Sequence, residues 1–180
     1  MSSDFTSMAC GPHFSETTGD RNPKVIFRRR RAEAFSRDGD RIHVLLESDE
    51  RELVAELARQ FHSVVAADED PDLTRLYPIA YVGDCARQTD YADLVHEDLV
   101  RTRLEAADTV VITSQSDSLD DGQLDAWMQV LNGLRLLLGT RLDISEEDGF
   151  DPEAVDAPQR ALLAWLGFLL EEAVGAASDR

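Results

Sequence analysis

The sequence predicts a mainly α protein, a helical bundle of four main helices preceded by an N-terminal β-hairpin. Three observations predict it. Apolar residues recur at three- and four-residue steps over four separate stretches between residues 48 and 180. The turn signal Asp38-Gly39-Asp40 stands immediately before an alternating run, Arg41–Leu46 (RIHVLL). Short connections between the helical stretches suit a compact bundle.

Taken in order, residues 1–23 are polar, rich in Ser and Thr, and broken by Gly11, Pro12, Gly19 and Pro23. Without periodicity they are expected to form a mobile tail. Residues 24–180 are expected to form one domain, with the hairpin over 24–47 and the bundle over 48–180. Lys24–Arg31 (KVIFRRRR) reads as the first strand and Arg41–Leu46 as its return. Such a hairpin is marginal alone and must lie on the helical body or pair with another chain.

Ser48 reads as the N-cap of the first helix, with Arg51 where a capping box would place an acid. The helix is expected to reach about Val65, with Leu53, Leu57, Phe61 and Val64 inward. Asp68–Pro71 ends that unit, and Asp72–Tyr77 makes a short helical turn stopped by Pro78. Residues 79–87 read as a loop carrying Tyr81 and Cys85. Thr89 or Asp90 starts the second helix, which reaches about Thr113, with Val95, Leu99, Thr102, Ala106 and Val110 as its stripe.

The third helix, Leu119–Leu142, is the one the others should pack on. Ser118 or Asp120 caps it, Asp121 favours the positive end of its dipole, and Leu124, Trp127, Leu131, Leu134 and Leu138 share one face. Gly139 reads as its stop. An acidic loop, Asp143–Asp156, leads to the last helix, which starts at Ala157 or Pro158 and is apolar almost throughout.

Charge narrows the function classes. The net charge is -18, with eight Lys or Arg against seven acids up to Glu47 and ten against 29 afterwards. An acidic body repels phosphate, so broad nucleic-acid binding and anionic membranes are disfavoured, and a basic protein partner is favoured. No stretch reads as a membrane span and no signal peptide is recognised, so a cytoplasmic location is expected.

The basic run Arg28, Arg29, Arg30 and Arg31 reads as a charge-protected edge strand in preference to a phosphate contact. Phosphate loops, nucleophile elbows and metal-spaced clusters are missing, and the four histidines lie in four different elements. No catalytic residue, metal or cofactor is expected. Cys10 and Cys85 are the redox candidates, although a bond between them requires the tail to fold back. Trp127, Leu131, Arg135, Arg141 and Trp165 are candidates for an interface or partner contact. Trp127 and Trp165 read first as core residues, and a homodimer on the surplus apolar faces is the rival use. Arg135 and Arg141, with Tyr77 and Tyr81, also make a candidate anion pocket, against the simpler role of satisfying acidic neighbours.

The segment Leu131-Asn132-Gly133-Leu134-Arg135-Leu136, followed by Leu138-Gly139-Thr140-Arg141-Leu142, carries a family resemblance. It resembles the actinobacterial domain-of-unknown-function family DUF2017, which includes the AosR-type oxidative-stress transcription regulators. Phe27-Arg28-Arg29, Asp70–Tyr81, Asp98–Ala107 and Ala161–Leu166 fit in the same order, so the resemblance runs from about Val25 to Val174. It implies a helical, non-enzymatic regulator acting through protein contacts, with a sigma factor or RNA polymerase component as partner. AosR-type members use a closely spaced cysteine pair near the N-terminus. Here Cys10 occupies that region without a close second cysteine.

Overall fold

The computed structural model describes residues 33–77, 85–143 and 152–179. It is mainly α: four helices with a small antiparallel sheet beside them. The strands are β1 (Phe35–Asp38), β2 (Arg41–Val44) and β3 (Ser118–Leu119), in the order β1-β2-β3. The helices are α1 (Ser48–Ala67), α2 (Cys85–Thr113), α3 (Asp121–Arg141) and α4 (Ala157–Ser178), with a 3-10 turn at Pro71–Leu76.

The hairpin turn falls where the sequence signals it, but the first strand does not. Asp38 pairs with Arg41 and Phe35 with Val44, so only Gly39 and Asp40 form the loop. Gly39 has φ +59°, a conformation that two-residue hairpins require and glycine supplies freely. A two-residue loop forces the partner strand to be the residues immediately before it, which excludes Lys24–Arg31 as the mate of β2. Residues 24–31, the mobile-tail expectation for residues 1–23 and most of the acidic loop lie outside the described residues.

The third strand has no counterpart in the sequence reading. Ser118 and Leu119 pair with His43 and Ile42, so Leu119 belongs to the sheet and α3 starts two residues later. Asp120 is its N-cap: the side chain accepts from Gln123 N at 2.8 Å, and Gln123 Oε1 accepts from Asp120 N at 2.9 Å. This reciprocal capping box satisfies two of the end groups that a helix leaves open. Gly139 is not the stop. The helix runs to Arg141, whose guanidinium is tied to Asp70 and Asp72 and so holds the last turn.

The N-cap of α1 is Glu47 and not Ser48, with its backbone N–H donating to Glu50 Oε2 at 2.7 Å. Arg51 has another use. Its guanidinium donates to the carbonyls of Leu46, Ser116 and Val44 at 2.7–2.9 Å, joining α1 to β2 and to the turn before β3. The buried stripe of α1 is Val54, Ala58, Phe61 and Val65. Leu57 and Val64 flank it, a rotation of about one residue from the sequence expectation. Over residues 95–113 of α2 the buried positions are Ala106, Ala107, Val110 and Thr113, while Thr102 is exposed.

The helix α3 is the centre of the packing. It contacts α1, α2, α4, the 3-10 turn and β2. Trp127 is fully buried there, edge-on to Phe35 at 5.7 Å, and its indole N–H donates to Thr113 Oγ1 at 2.9 Å. At Gly133 a Cβ would come within 2.6 Å of the Phe61 ring, so the glycine permits the close crossing of α1 and α3. Arg37, with its side chain only 7% exposed, donates to Ala176 O and to Asp121, locking β1 to the end of α4 and the start of α3.

The last helix begins at Ala157 as expected, with Pro158 in its first turn. It buries one stripe, Leu166, Leu169, Ala173 and Ala176, against the core. By length and composition it is apolar enough to cross a membrane. That corrects the expectation that no stretch has this character. The buried stripe against α3 is also how a core helix of a soluble bundle behaves.

Candidate functional site

The described surface offers two neighbourhoods with chemistry. The first gathers where α1 ends, at the 3-10 turn and the middle of α2. Asp68 terminates α1 in the left-handed region, at φ 50°. Its Oδ1 accepts from the Tyr77 hydroxyl at 3.1 Å, and its Oδ2 lies 2.6 Å from His96 Nε2. The centres of the His96 and Tyr77 rings are 4.6 Å apart, and the Arg103 guanidinium sits 5.5 Å from the centre of the Tyr77 ring. Arg103 also donates to the carbonyl of Leu76. Burial, with the hydrogen bond to Asp68 and its charge, pushes the Tyr77 phenol up to about 12. Burial lowers the Arg103 guanidinium from its ordinary value.

Beside this group, Arg141 donates to Asp70 and, at 3.3 Å, to Asp72. The Asp72 backbone N–H holds the Asp70 carboxyl below its usual range, helped by Arg141. Each oxygen of Asp68 and the charge of Arg141 already have protein partners. The arrangement fastens three helices and the 3-10 turn together. Among the described residues no group of three or more His, Cys, Asp or Glu is placed to hold a metal.

The second neighbourhood is the outer face of α3 and α4. Asp125, Met128, Gln129 and Asn132 of α3 and Leu170 of α4 line a shallow groove. Leu163, Gly167, Leu170 and Val174 recur along α4 at three- and four-residue steps beside it, and Val174 is 48% exposed. Arg135 lies against Gly167, where a Cβ would stand 3.5 Å from its Nε. That Nε is buried without a hydrogen-bond partner.

The structure separates the residues that the sequence groups. Trp127 and Leu131, 0% and 1% exposed, are core residues and cannot meet a partner. Trp165 is half-buried, packed beside the core on α4. Arg135 and Arg141 share a helix but not a site: Arg141 satisfies acidic neighbours, the simpler of its two readings, while Arg135 faces α4. Tyr77 joins Asp68 and His96, and Tyr81 lies outside the described residues, so the anion pocket is not assembled among the described residues. Cys85 is the first residue of α2 and not a loop residue. Cys10 and Arg28–Arg31 lie outside the described residues.

Sequence reasoning misses Asp68, His96, Arg103, Arg37 and Arg51. Asp68 and His96 are 28 positions apart, Arg103 reaches back 27 to Leu76, Arg51 reaches 65 to Ser116, and Arg37 reaches 139 to Ala176. No local pattern marks such partners. Asp68 alone carries a signal, as the acidic residue after the last helical turn.

No curated protein and no solved structure matches this chain. A family model does match, over residues 32–177. The matched range takes in the sheet and all four helices up to the last residue of α4, and leaves Phe27-Arg28-Arg29 outside. The chain therefore belongs to the family described as a domain of unknown function, DUF2017.

Proposed function

We propose that this chain is a cytoplasmic, non-enzymatic regulator that acts through protein contacts, as AosR-type members of the family do in the oxidative-stress response. Family membership over residues 32–177 is the observation that carries the reading. The charge supports it: 29 acids against ten basic residues from Ser48 onwards favour a basic protein surface over nucleic acid. A sigma factor or another RNA polymerase component is the partner of that kind. An actinobacterial origin and an AosR-type role belong to the same proposal. Cys10 and Cys85 would supply any redox response.

The test uses the full chain, immobilised, with purified RNA polymerase core and purified stress sigma factor from the organism that encodes it. Each is measured with reduced and with peroxide-treated chain. Saturable binding to either, weakened by salt, is the expected outcome. Binding to neither, in both redox states, removes the regulatory reading. Equal binding in both states removes only the redox response and leaves an interaction adaptor.

A further inference from the structure

We infer that a third place on the surface, the groove between α1 and the end of α2, is the docking site for a basic amphipathic helix of a protein partner. The inference rests on the regulatory reading for the identity of that partner, and on the surface alone for its place and chemistry.

The groove is open and has a hollow at its centre. His62 lies 3.6 Å from Asp108 at one level, and Arg51 donates to Ser116 O at the other, so the two helices run antiparallel. Between these levels Ser48, Glu52, Ala55 and Arg59 of α1 face Val111 and Ser114 across a hollow of about 420 Å³. Its floor is made of small buried side chains, Ala55 and Ser114. The Ser114 hydroxyl already donates to Val111 O at 3.0 Å, so an aliphatic side chain enters without stranding that donor.

Beside the hollow stands Ile112, 79% exposed. A single exposed isoleucine is ordinary on a protein surface. This one is set apart by its neighbours, because it adjoins a vacant hollow within a concentration of negative charge. Residues 48–59 and 108–117 hold six acids against two arginines, a net of -4 in a chain of -18. Nearly a quarter of the net charge thus falls in about an eighth of the length. Both arginines are engaged: Arg59 donates to Glu56, and Arg51 donates to three backbone carbonyls. Glu52, exposed on the rim, has no partner among the described residues, and the Asp117 side chain is fully exposed. The last turn of α2 carries no basic residue, so the negative end of its dipole adds to the same field.

These features select the occupant. A second copy would set acids against acids, and phosphate, as nucleic acid or lipid, is repelled. A basic segment is attracted, and its aliphatic side chains have Ile112 and the hollow to meet. From Ser48 to Arg59 the groove is straight over about 17 Å, the length of three turns of a helix laid along it.

The test uses the isotope-labelled full chain, titrated with a synthetic amphipathic peptide of leucine and lysine of about 18 residues, and with a scrambled peptide of the same composition. Amide shifts at residues 48–59 and 108–117 are expected to saturate together, and the scrambled peptide should bind about 10-fold more weakly. Ile112→Ser and Glu52→Lys should each weaken binding by about 10-fold. Glu171→Lys, the same charge change at an exposed position of α4, should weaken it less than about 2-fold. All three side chains are exposed, and circular dichroism checks that the variants keep their helices. Shifts spread over acidic positions of all four helices, equal effects of the two lysine variants, or undiminished binding by Ile112→Ser each overturn the inference. The same variants are then put to the polymerase core and the sigma factor. Binding lost with Ile112→Ser and Glu52→Lys but kept with Glu171→Lys assigns that partner to the groove. Binding kept by all three overturns the groove as its docking site and leaves the regulatory reading in place. If the wild type binds neither while the peptide seats in the groove, the groove stands and the regulatory reading falls.

Discussion

Tyr77 shows how a single residue couples the folded state to pH. Its hydroxyl is bonded to Asp68, its ring is flanked by His96 and Arg103, and its pKa is pushed up to about 12. In the unfolded chain the phenol ionises near its ordinary value of about 10. Between those values the folded protein holds the proton that the unfolded chain has released. The contribution of Tyr77 to stability is therefore complete below about pH 10 and is lost as pH rises through 12. Absorbance at the phenolate band of the wild type minus Tyr77→Phe should show one tyrosine ionising well above the others. A difference spectrum with its midpoint near the ordinary value would mean that the burial of the ring and its Asp68 contact do not persist in solution. The opposite sign applies to Asp70, whose lowered pKa stabilises the fold above the ordinary carboxylate range and ceases to do so as pH falls through the folded value.

At the scale of elements, the crossing of α1 over α3 depends on Gly133. An alanine there gains about 1 kcal/mol of helix propensity. It also drives a methyl to within 2.6 Å of Phe61, a ring only 1% exposed and hemmed in by the core. Overpacking of this kind costs about 1–3 kcal/mol, so Gly133→Ala is expected to destabilise by about 1 kcal/mol net. Urea unfolding reads this as a lower midpoint at unchanged slope. An increase in stability would show that the two helices can separate without loss. This glycine also marks the limit of what the sequence discloses. Helical periodicity places α3, its charge at the N-terminus, the start of α4 and the end of α2, because those signals are local. It misplaces the inward face of α1 by one residue, since Leu53 and Val54 are both apolar and only the neighbouring helix decides which is buried. The pairing of Ser118-Leu119 with Ile42 and His43 joins strands far apart in the chain, and the two residues of β3 are too few to show any periodicity. Of the candidate site, the sequence marks Arg135 and Arg141 as notable but cannot show that one is satisfied by Asp70 and Asp72 while the other is not.

Over the whole molecule, 36 acids against 18 basic residues make repulsion a standing cost of compactness. The described ion pairs work against it only weakly. Arg59–Glu56, Arg101–Asp98 and Arg101–Glu105 are more than half exposed on both sides, where a pair contributes about 0–1 kcal/mol. The better-buried arginines, Arg37 and Arg51, direct most of their donors to backbone carbonyls, and those bonds are short-ranged. Added salt therefore screens more repulsion between like charges than attraction within pairs. Raising sodium chloride from about 0.01 to 0.1 M shortens the screening length from about 30 to 10 Å. With repulsion of about 1–2 kcal/mol relieved, Tm should rise by roughly 3–6 °C. Calorimetry at fixed protein concentration reads this as the difference in Tm between the two salt concentrations. A rise means that the charge of the body governs stability. A fall would mean that the ion pairs around Asp70, Asp72 and Arg141 outweigh the excess of acids, and that the helical body is held by its polar contacts more than its composition suggests.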